Sequence, residues 1–252
     1  MRSKNSILIP LLMVTFIVLT FSFTGLAQEK PTYTFATEAA YRPWDYTNEE
    51  GELVGFDIEV IREVAKLEGF NVKFVTSSWS SLIPMVKMGK ADMTGGGMSI
   101  TEQREKQVDF TNPYWFTEMA VLVREDSDLH MFDALTHGAT ISNQSNTTGA
   151  NWVRNNLVKQ NYDLSQKLFE TYPQATQALI AGKVDASVQD KTSAELAAEK
   201  KPVKIVGYFR TGESYGYAVQ DGNDELLETL NSGLKKLKES GKFKQLVDKY
   251  LN

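Results

Sequence analysis

The chain has 252 residues, a formal net charge of −5 and no cysteine. An acidic chain is a poor ligand for nucleic acid or for an anionic membrane surface, and the lack of cysteine excludes disulfides and a lipid-modified N-terminal cysteine. The length allows one large domain or two small ones, and such a chain can build a sufficient core without disulfides.

The N-terminal segment has the layout of a secretory signal peptide. Arg2 and Lys4 form a basic start, no charge occurs from Ile7 to Ala27, and Gly25-Leu26-Ala27 ends the apolar stretch with small residues. We predict cleavage after Ala27, which removes residues 1–27 and changes the net charge from −5 to −7, because two basic residues are lost. The stretch is also nearly long enough to span a bilayer, so an uncleaved anchor is the alternative.

The rest of the chain alternates predicted strands with predicted helices. The first half is predicted to contain strand 33–38, helix 55–69, strand 72–76, helix 80–89 and strand 91–95. The second half is predicted to contain strand 137–142, helix 146–157, strand 167–172, helix 174–182, strand 183–189, helix 192–200 and strand 203–209. Pro84 is tolerable only in the first turn of its helix. Segments 116–126 and 211–221 are predicted to be crossing strands, and helical segment 224–252 is predicted to pack onto the first half.

Two short segments match each other within this pattern. MVKMGKADM (85–93) and ALIAGKVDA (178–186) each have a helix end, a Gly-Lys pair and an aspartate at the start of a strand. The matching glycines, Gly89 and Gly182, are 93 residues apart. The repeat predicts an α/β protein with two lobes of similar build, each with a largely parallel sheet. We interpret the recurring Asp92 and Asp185 as structural.

The segment TGGGMSITEQREKQVDFTNPY (94–114) is the first candidate for a binding site. Glycines allow a ligand to approach the backbone, and the Arg104 guanidinium can bind a carboxylate or a phosphate through two parallel hydrogen bonds. The alternative is a tight turn followed by a solvated helix. Parallel sheets bind ligands beyond the carboxyl ends of their strands, which selects Gly96–Ser99 and Gln189-Asp190. The repeat places these two ends on facing lobes, so we expect a cleft with opposite charges on its walls.

At this point the chain resembles the periplasmic amino-acid-binding proteins of ABC importers, which are extracellular solute-binding proteins of family 3. The resemblance covers the chain after the signal, and it is carried by SITEQREKQVDFTNPY (99–114), by ATEAAYRPWDYTNEEGELVGFDIEV (36–60), and by GKVDA with QD in 182–190. It implies a two-lobed periplasmic-binding-protein fold of type II. We assign 28–119 and 215–252 to lobe 1 and 120–214 to lobe 2, with hinge strands near 117–124 and 211–219.

The resemblance implies how an amino acid is anchored. Arg104 would bind the α-carboxylate, with help from the hydroxyl and N–H of Ser99 and from the backbone of Gly97. Thr147 and Thr148 would donate to the carboxylate from the second lobe, where a helix N-terminus suits an anion on general grounds. Asp190 would bind the α-ammonium, and its alternative role is to cap helix 192–200.

The resemblance also implies the residues of the side-chain pocket. Tyr41 and Trp79 would line it, and Glu38 would meet a polar or cationic ligand side chain. The alternatives are two core aromatics and a surface carboxylate. Asn146 and Asn143 depart from the family pattern, which usually has glycine and an apolar residue there; asparagine tolerates positive φ better than other non-glycine residues.

The sequence therefore predicts a monomeric periplasmic receptor, with no metal and no cofactor, that delivers a polar or cationic L-amino acid to a membrane permease. His130 and His137 lack a cysteine partner and a metal-binding spacing. One alternative is an enzyme that resembles the periplasmic cyclohexadienyl dehydratases, with Glu38 or Glu170 as the acid. Another is a ligand-sensing ectodomain, which would need a partner protein to signal.

Overall fold

The computed structural model describes residues 29–251, so the predicted signal peptide lies outside the described residues. Within that range, no helix is both long enough and apolar enough to cross a membrane. The elements before the first connection are β1 (Thr32–Thr37), β2 (Ala40–Tyr41), β3 (Asp45–Thr47), β4 (Leu53–Val54), α1 (Phe56–Glu68), β5 (Asn71–Thr76), α2 (Trp79–Lys87), β6 (Met93–Thr94), α3 (Glu102–Glu105) and β7 (Val108–Phe110).

The elements that follow begin in the first of the two segments that connect the lobes, and they end with the C-terminal helices. They are β8 (Trp115–Phe116), β9 (Met119–Arg124), α4 (Met131–Ala134), β10 (Ala139–Gln144), α5 (Thr148–Asn156), a 3-10 turn (Val158–Gln160), β11 (Leu164–Phe169), α6 (Tyr172–Ile180), β12 (Ala186–Asp190), α7 (Lys191–Lys200), β13 (Val203–Phe209), β14 (Ser214–Tyr215), β15 (Ala218–Gln220), α8 (Asp224–Glu239) and α9 (Lys242–Tyr250).

Two five-stranded sheets of the same topology form the two lobes. The first has the order β5-β1-β6-β15-β7, and the second has the order β11-β10-β12-β9-β13. Four strands of each sheet run in the same direction, and the remaining strand, fourth in the order, runs antiparallel to both of its neighbours. That antiparallel strand is the one that enters from a connection between the lobes. The predicted α/β class with two sheet-containing lobes is confirmed.

The predicted repeat is present in atomic detail. Gly89 and Gly182 end equivalent helices with positive φ values of 66° and 67°. Asp92 accepts a hydrogen bond from the N–H of Thr34 at 2.6 Å, and Asp185 accepts one from the N–H of Thr140 at 2.8 Å. Each aspartate therefore ties the start of its strand to the neighbouring strand, which confirms the structural role expected for both.

The connection between the sheets is shorter than the predicted crossing strands. β8 and β14 pair antiparallel with each other, Ser214 opposite Phe116 and Tyr215 opposite Trp115. β9 belongs to the second sheet, between β12 and β13, and β15 belongs to the first sheet. β9 lies inside a sheet because its sequence, MAVLV, is apolar on both faces and both faces are buried.

One local prediction needs correction, and one small sheet was not predicted. Pro84 is the sixth residue of α2, beyond its first turn; the carbonyl that loses its donor belongs to exposed Ser80, where water can replace it. The segment between β1 and α1 forms a small antiparallel sheet, β2-β3-β4, that the sequence pattern did not indicate. Its strands have two or three residues, too few for a periodicity to be recognised.

The C-terminal helices pack on the first lobe. Leu226, Leu230, Leu234 and Leu237 of α8 are buried in one core with Ile61 and Val64 of α1. Their spacing of three and four residues places them on one face of the helix. The helical prediction for 224–252 is therefore correct over the described residues, although Gly241 divides it into two helices.

Replacing Leu230 by alanine should destabilise the protein by about 3 kcal/mol, because it leaves a cavity in a fully buried site. Denaturant unfolding of Leu230→Ala measures this loss. Lys235→Ala changes an exposed residue of the same helix and should alter the free energy of unfolding by less than about 0.5 kcal/mol. Equal effects of the two substitutions would contradict the packing of α8 on α1.

Candidate functional site

The glycine turn after β6 is shaped by a buried carboxylate, Asp57. This side chain accepts hydrogen bonds from the N–H groups of Gly96 at 2.9 Å and Gly97 at 2.7 Å. It also accepts from the hydroxyls of Tyr114 at 2.7 Å and Tyr217 at 2.8 Å. Burial raises the pKa of Asp57 to about 6, although these four donors oppose the rise. The turn's N–H groups are thus committed to the protein, which corrects the expectation that Gly97 could offer its N–H to a ligand.

Gly97 nevertheless forms part of the cleft wall. Its φ is 64°, and a Cβ atom there would lie 2.9 Å from the ring of Tyr41. Glycine is required at this position for both reasons. Gly95 and Gly96 face inward instead, because added Cβ atoms would lie within 3.0 Å of Tyr217 and Asp45 respectively.

Arg104 lies in the short helix α3, which the Thr101 side chain caps by accepting from the Arg104 N–H. The guanidinium donates to the carbonyl of Ser99 at 2.8 Å and to the carbonyl of Asn146, on the opposite lobe, at 3.3 Å. Its Cζ atom lies 5.3 Å from the centroid of the Trp79 ring. Within residues 29–251 no carboxylate forms an ion pair with Arg104. The solvated-helix alternative would pair Arg104 with Glu105 or Asp109 along the chain, and neither ion pair is formed within the described residues.

The second lobe presents the N-terminus of α5 to the same space. Asn146 has a φ of 60°, so it adopts the left-handed conformation that glycine would otherwise supply. Thr147 is the N-cap, and its hydroxyl accepts from the N–H of Ala150 at 3.2 Å; Thr148 is the first helical residue. Asn143 is buried in the lobe, where it donates to the carbonyl of Val188 at 2.9 Å. Asn143, which stands where the family usually has an apolar residue, therefore lies inside the lobe and not in the cleft.

Asp190 ends β12 and precedes α7, but its side chain does not cap that helix. One carboxylate oxygen accepts from the hydroxyl of Tyr41 and, at 3.3 Å, from the hydroxyl of Tyr172. The other oxygen is buried without a hydrogen-bond partner. The pKa of Asp190 is raised to about 6, because burial and then the charge of Glu213 raise it more than the hydroxyls of Tyr41, Tyr215 and Tyr172 lower it. A buried carboxylate oxygen without a partner favours a cationic donor at this place.

The structure brings eight of the nine predicted site residues around one cavity between the lobes. The cavity measures about 10 Å³, which is the space of a single water molecule. A larger molecule can therefore enter only when the lobes separate. The ten lining residues are Tyr41, Trp79, Gly97, Ser99, Arg104, Gln144, Thr147, Thr148, Tyr172 and Asp190.

Glu38 is the predicted residue that does not line the cavity. Its carboxylate accepts from the Gln144 amide at 2.6 Å, and Gln144 itself is a lining residue. Burial raises the pKa of Glu38 to about 7; the bond from Gln144 lowers it and the charge of Glu170 raises it. Glu38 thus lies one side chain away from the cavity, in contact across the lobes.

Sequence reasoning missed Gln144, Tyr172 and Glu213. Gln144 lies two residues before Asn146, in the same motif as the Asn146–Thr148 turn, so that motif was the available signal. Tyr172 was predicted to end a strand, but Thr171 begins α6 there with a capping box. Glu213 accepts a hydrogen bond from the Ser99 hydroxyl at 2.7 Å, a contact over 114 residues that no local pattern indicates.

The remaining polar candidates lie away from the cavity. His130 and His137 are exposed, and the described part of the chain has no group of three or more potential metal ligands. Glu170 is exposed as well; its backbone carbonyl accepts from Gln144 at 2.9 Å, and its charge acts on Glu38.

Comparison with known proteins identifies the family. Residues 33–252 match the model of the bacterial extracellular solute-binding proteins, family 3. The chain belongs to this family. A putative ABC transporter arginine-binding protein 2 of Escherichia coli K12 is 31% identical to this solute-binding protein over 238 residues, which are 91% of this chain and 94% of the relative. The predicted resemblance is confirmed.

Solved structures agree with the fold of this solute-binding protein. An ancestral arginine-binding protein bound to arginine is 35% identical, with a TM-score of 0.83 over 88% of this chain and 99% of that one. An ancestral amino-acid-binding protein described as a precursor of cyclohexadienyl dehydratase is 31% identical, with a TM-score of 0.82 over 88% and 96%. One of these two neighbours is thus bound to an amino acid, and the other is an amino-acid-binding protein described as the precursor of an enzyme.

The raised pKa values predict that the unliganded protein loses stability as the pH rises. Glu38 and Asp190 hold their protons in the folded state up to about pH 7 and about pH 6, whereas the unfolded chain releases them near pH 4. Their contribution to stability is therefore full below about pH 4 and is lost as the pH rises through about 6 to 7. Thermal melts across this range measure the decrease. In Glu38→Gln the loss of stability near pH 7 should disappear. An unchanged dependence of stability on pH would contradict the raised pKa of Glu38.

Proposed function

We propose that this solute-binding protein captures a polar or cationic L-amino acid between its lobes and delivers it to the permease of an ABC transporter. The observation that carries the proposal is the pair of anchors around one cavity. Among the described residues, no carboxylate forms an ion pair with Arg104 on the first lobe. On the second lobe, one carboxylate oxygen of Asp190 is buried without a hydrogen-bond partner, and both residues line the cavity. A zwitterion satisfies both at once.

The anchoring scheme assigns the carboxylate to Arg104 and to the N-terminus of α5 at Thr147 and Thr148. The α-ammonium binds the free oxygen of Asp190. Ser99 contributes differently from the expectation, because its hydroxyl donates to Glu213 and its carbonyl accepts from Arg104. Its carbonyl therefore orients the guanidinium, and of its two predicted donors only the N–H is left to contribute to carboxylate binding.

The side-chain pocket favours a long cationic or polar ligand. Tyr41 and Trp79 supply aromatic surface, and Glu38 supplies a carboxylate beyond Gln144 that an incoming cation can approach. Relatives named arginine-binding and histidine-binding proteins support this class. Arginine, lysine, histidine and glutamine are the candidate ligands.

Closure of the lobes completes the site. The interlobe contacts include Gln144 to Glu38 at 2.6 Å, Trp79 Nε1 to the Asn146 carbonyl at 3.2 Å, and Ser193 to the Arg42 carbonyl at 2.8 Å. We infer that 28–119 with 215–252 and 120–214 move as the two lobes. The β8–β14 pair acts as the hinge, and the protein works as a monomer in the periplasm.

A second candidate function is dehydration of a cyclohexadienyl acid, and the protonation of Glu38 favours it. With a pKa of about 7, Glu38 is about half protonated at neutral pH, and it could donate that proton to a leaving hydroxyl once Gln144 moves aside. A related ancestral protein is described as a precursor of cyclohexadienyl dehydratase. Incubation with prephenate or arogenate, followed by analysis for the dehydrated product, tests this function; the binding function predicts no product.

Thermal melts with each of the twenty amino acids test the main proposal. A ligand at one hundred times its dissociation constant adds about 2.7 kcal/mol to the stability. We expect a shift with arginine, lysine, histidine or glutamine and none with aspartate or glutamate, whose side chains would oppose Glu38. No shift with any amino acid would refute the proposal.

Arg104→Ala should weaken amino-acid binding at least about 100-fold, because the ligand carboxylate loses a charge-assisted pair and remains buried without its cation. Isothermal titration calorimetry with the best ligand of the screen measures the change. Arg154→Ala is the matched control: Arg154 is exposed on α5 and bonds Asn151, so its removal should leave the affinity unchanged. Unchanged affinity in Arg104→Ala would show that the carboxylate binds elsewhere.

A further inference from the structure

Glu213 is a nearly buried carboxylate that the anchoring scheme does not use. It lies in the second connection, directly before β14, and 9% of its surface is exposed. Its two oxygens accept hydrogen bonds from Ser99 Oγ and from Thr211 Oγ1, both at 2.7 Å. Over residues 29–251 no basic side chain forms an ion pair with it. Its negative charge is therefore held by neutral hydroxyl groups.

The charge of Glu213 reaches both anchors of the ligand. Burial lowers the pKa of Arg104, and Glu213 is the largest influence that opposes this. Burial raises the pKa of Asp190, and Glu213 is the largest influence that adds to it. Glu213 is thus electrostatically coupled to the residues that bind the two ends of a zwitterion, without bonding either of them.

The formal charges around the closed cleft are unequal. Arg104 supplies one positive charge, whereas Asp190 and Glu213 supply two negative ones, and Glu38, with a pKa of about 7, adds part of a third near neutral pH. A zwitterion with a neutral side chain leaves this excess unchanged, and an amino acid with a net charge of +1 reduces it. In a closed, poorly hydrated cleft such an interaction acts over several ångströms and is weakly screened by salt.

We propose that Glu213 is a specificity-determining residue, which selects amino acids of net positive charge through the field of its carboxylate and without contact to their side chains. This inference rests on the proposed function and narrows its substrate class to cationic amino acids. It also explains why the Ser99 hydroxyl donates its hydrogen bond to Glu213: this bond keeps the Glu213 carboxylate beside the end of the cleft that binds the ligand carboxylate.

Glu213→Gln tests the proposal, because it removes the charge and keeps side-chain groups that can hydrogen-bond Ser99 and Thr211. The probes are arginine and citrulline, which have nearly the same size but differ by the charge of the terminal group. Titration calorimetry gives both dissociation constants for the wild-type protein and the variant. The preference for arginine should fall about tenfold in Glu213→Gln, through weaker arginine binding, while citrulline binds equally or more tightly. An unchanged preference would overturn the proposal.

Two further variants separate charge from structure. Thr211→Ala removes one hydrogen bond to Glu213 and keeps its charge, so the preference for arginine should remain. Glu125→Gln removes an exposed carboxylate outside the cavity and should also leave it unchanged. If both ligands weaken by the same factor in Glu213→Gln, the residue only supports the site structurally and the proposal fails. If the wild-type protein binds neither of these probes nor any amino acid of the thermal screen, the proposed function itself fails.

Discussion

The buried carboxylate of Asp57 is the interaction on which the first lobe's binding surface depends. It lies in the first turn of α1 and accepts four hydrogen bonds, two from the glycine turn and two from tyrosine hydroxyls. Leaving any of these groups unpaired in the interior would cost free energy, so all of them are held in one arrangement. Tyr114 precedes β8 and Tyr217 follows β14, so the same carboxylate joins the glycine turn to both connections.

The placement of Arg104 follows from that arrangement. The glycine turn leads through Ser99 and Thr101 into α3, and the Ser99 carbonyl and the Thr101 cap then orient the arginine. On the second lobe the equivalent strand end carries Asp190, held by the hydroxyls of Tyr41 and Tyr172. Two lobes of the same topology therefore present opposite charges across one small cavity. A ligand with both charges interacts most fully with the closed form and shifts the population toward it.

The parts predicted from the sequence share a local physical cause. The α/β order came from hydrophobic periodicity, and the repeat came from Gly89 and Gly182, which end helices with positive φ. The positive φ of Asn146 follows from the conformational tolerance of asparagine. The wrong inferences concerned long-range partners. β9 was predicted to cross between lobes because its ends are polar, whereas its apolar centre requires a position inside a sheet.

The sequence by itself determined the two-lobed α/β class, because this depends on periodicity and turn chemistry. The contiguous motif carried the resemblance to the family, and that resemblance indicated eight of the ten residues that line the cavity. Tertiary structure alone decided which groups remain free to bind. The N–H groups of Gly96 and Gly97 are taken by Asp57, and the Ser99 hydroxyl by Glu213, over separations of 39, 40 and 114 residues. A donor with one proton serves one acceptor, and folding decides which acceptor comes within reach.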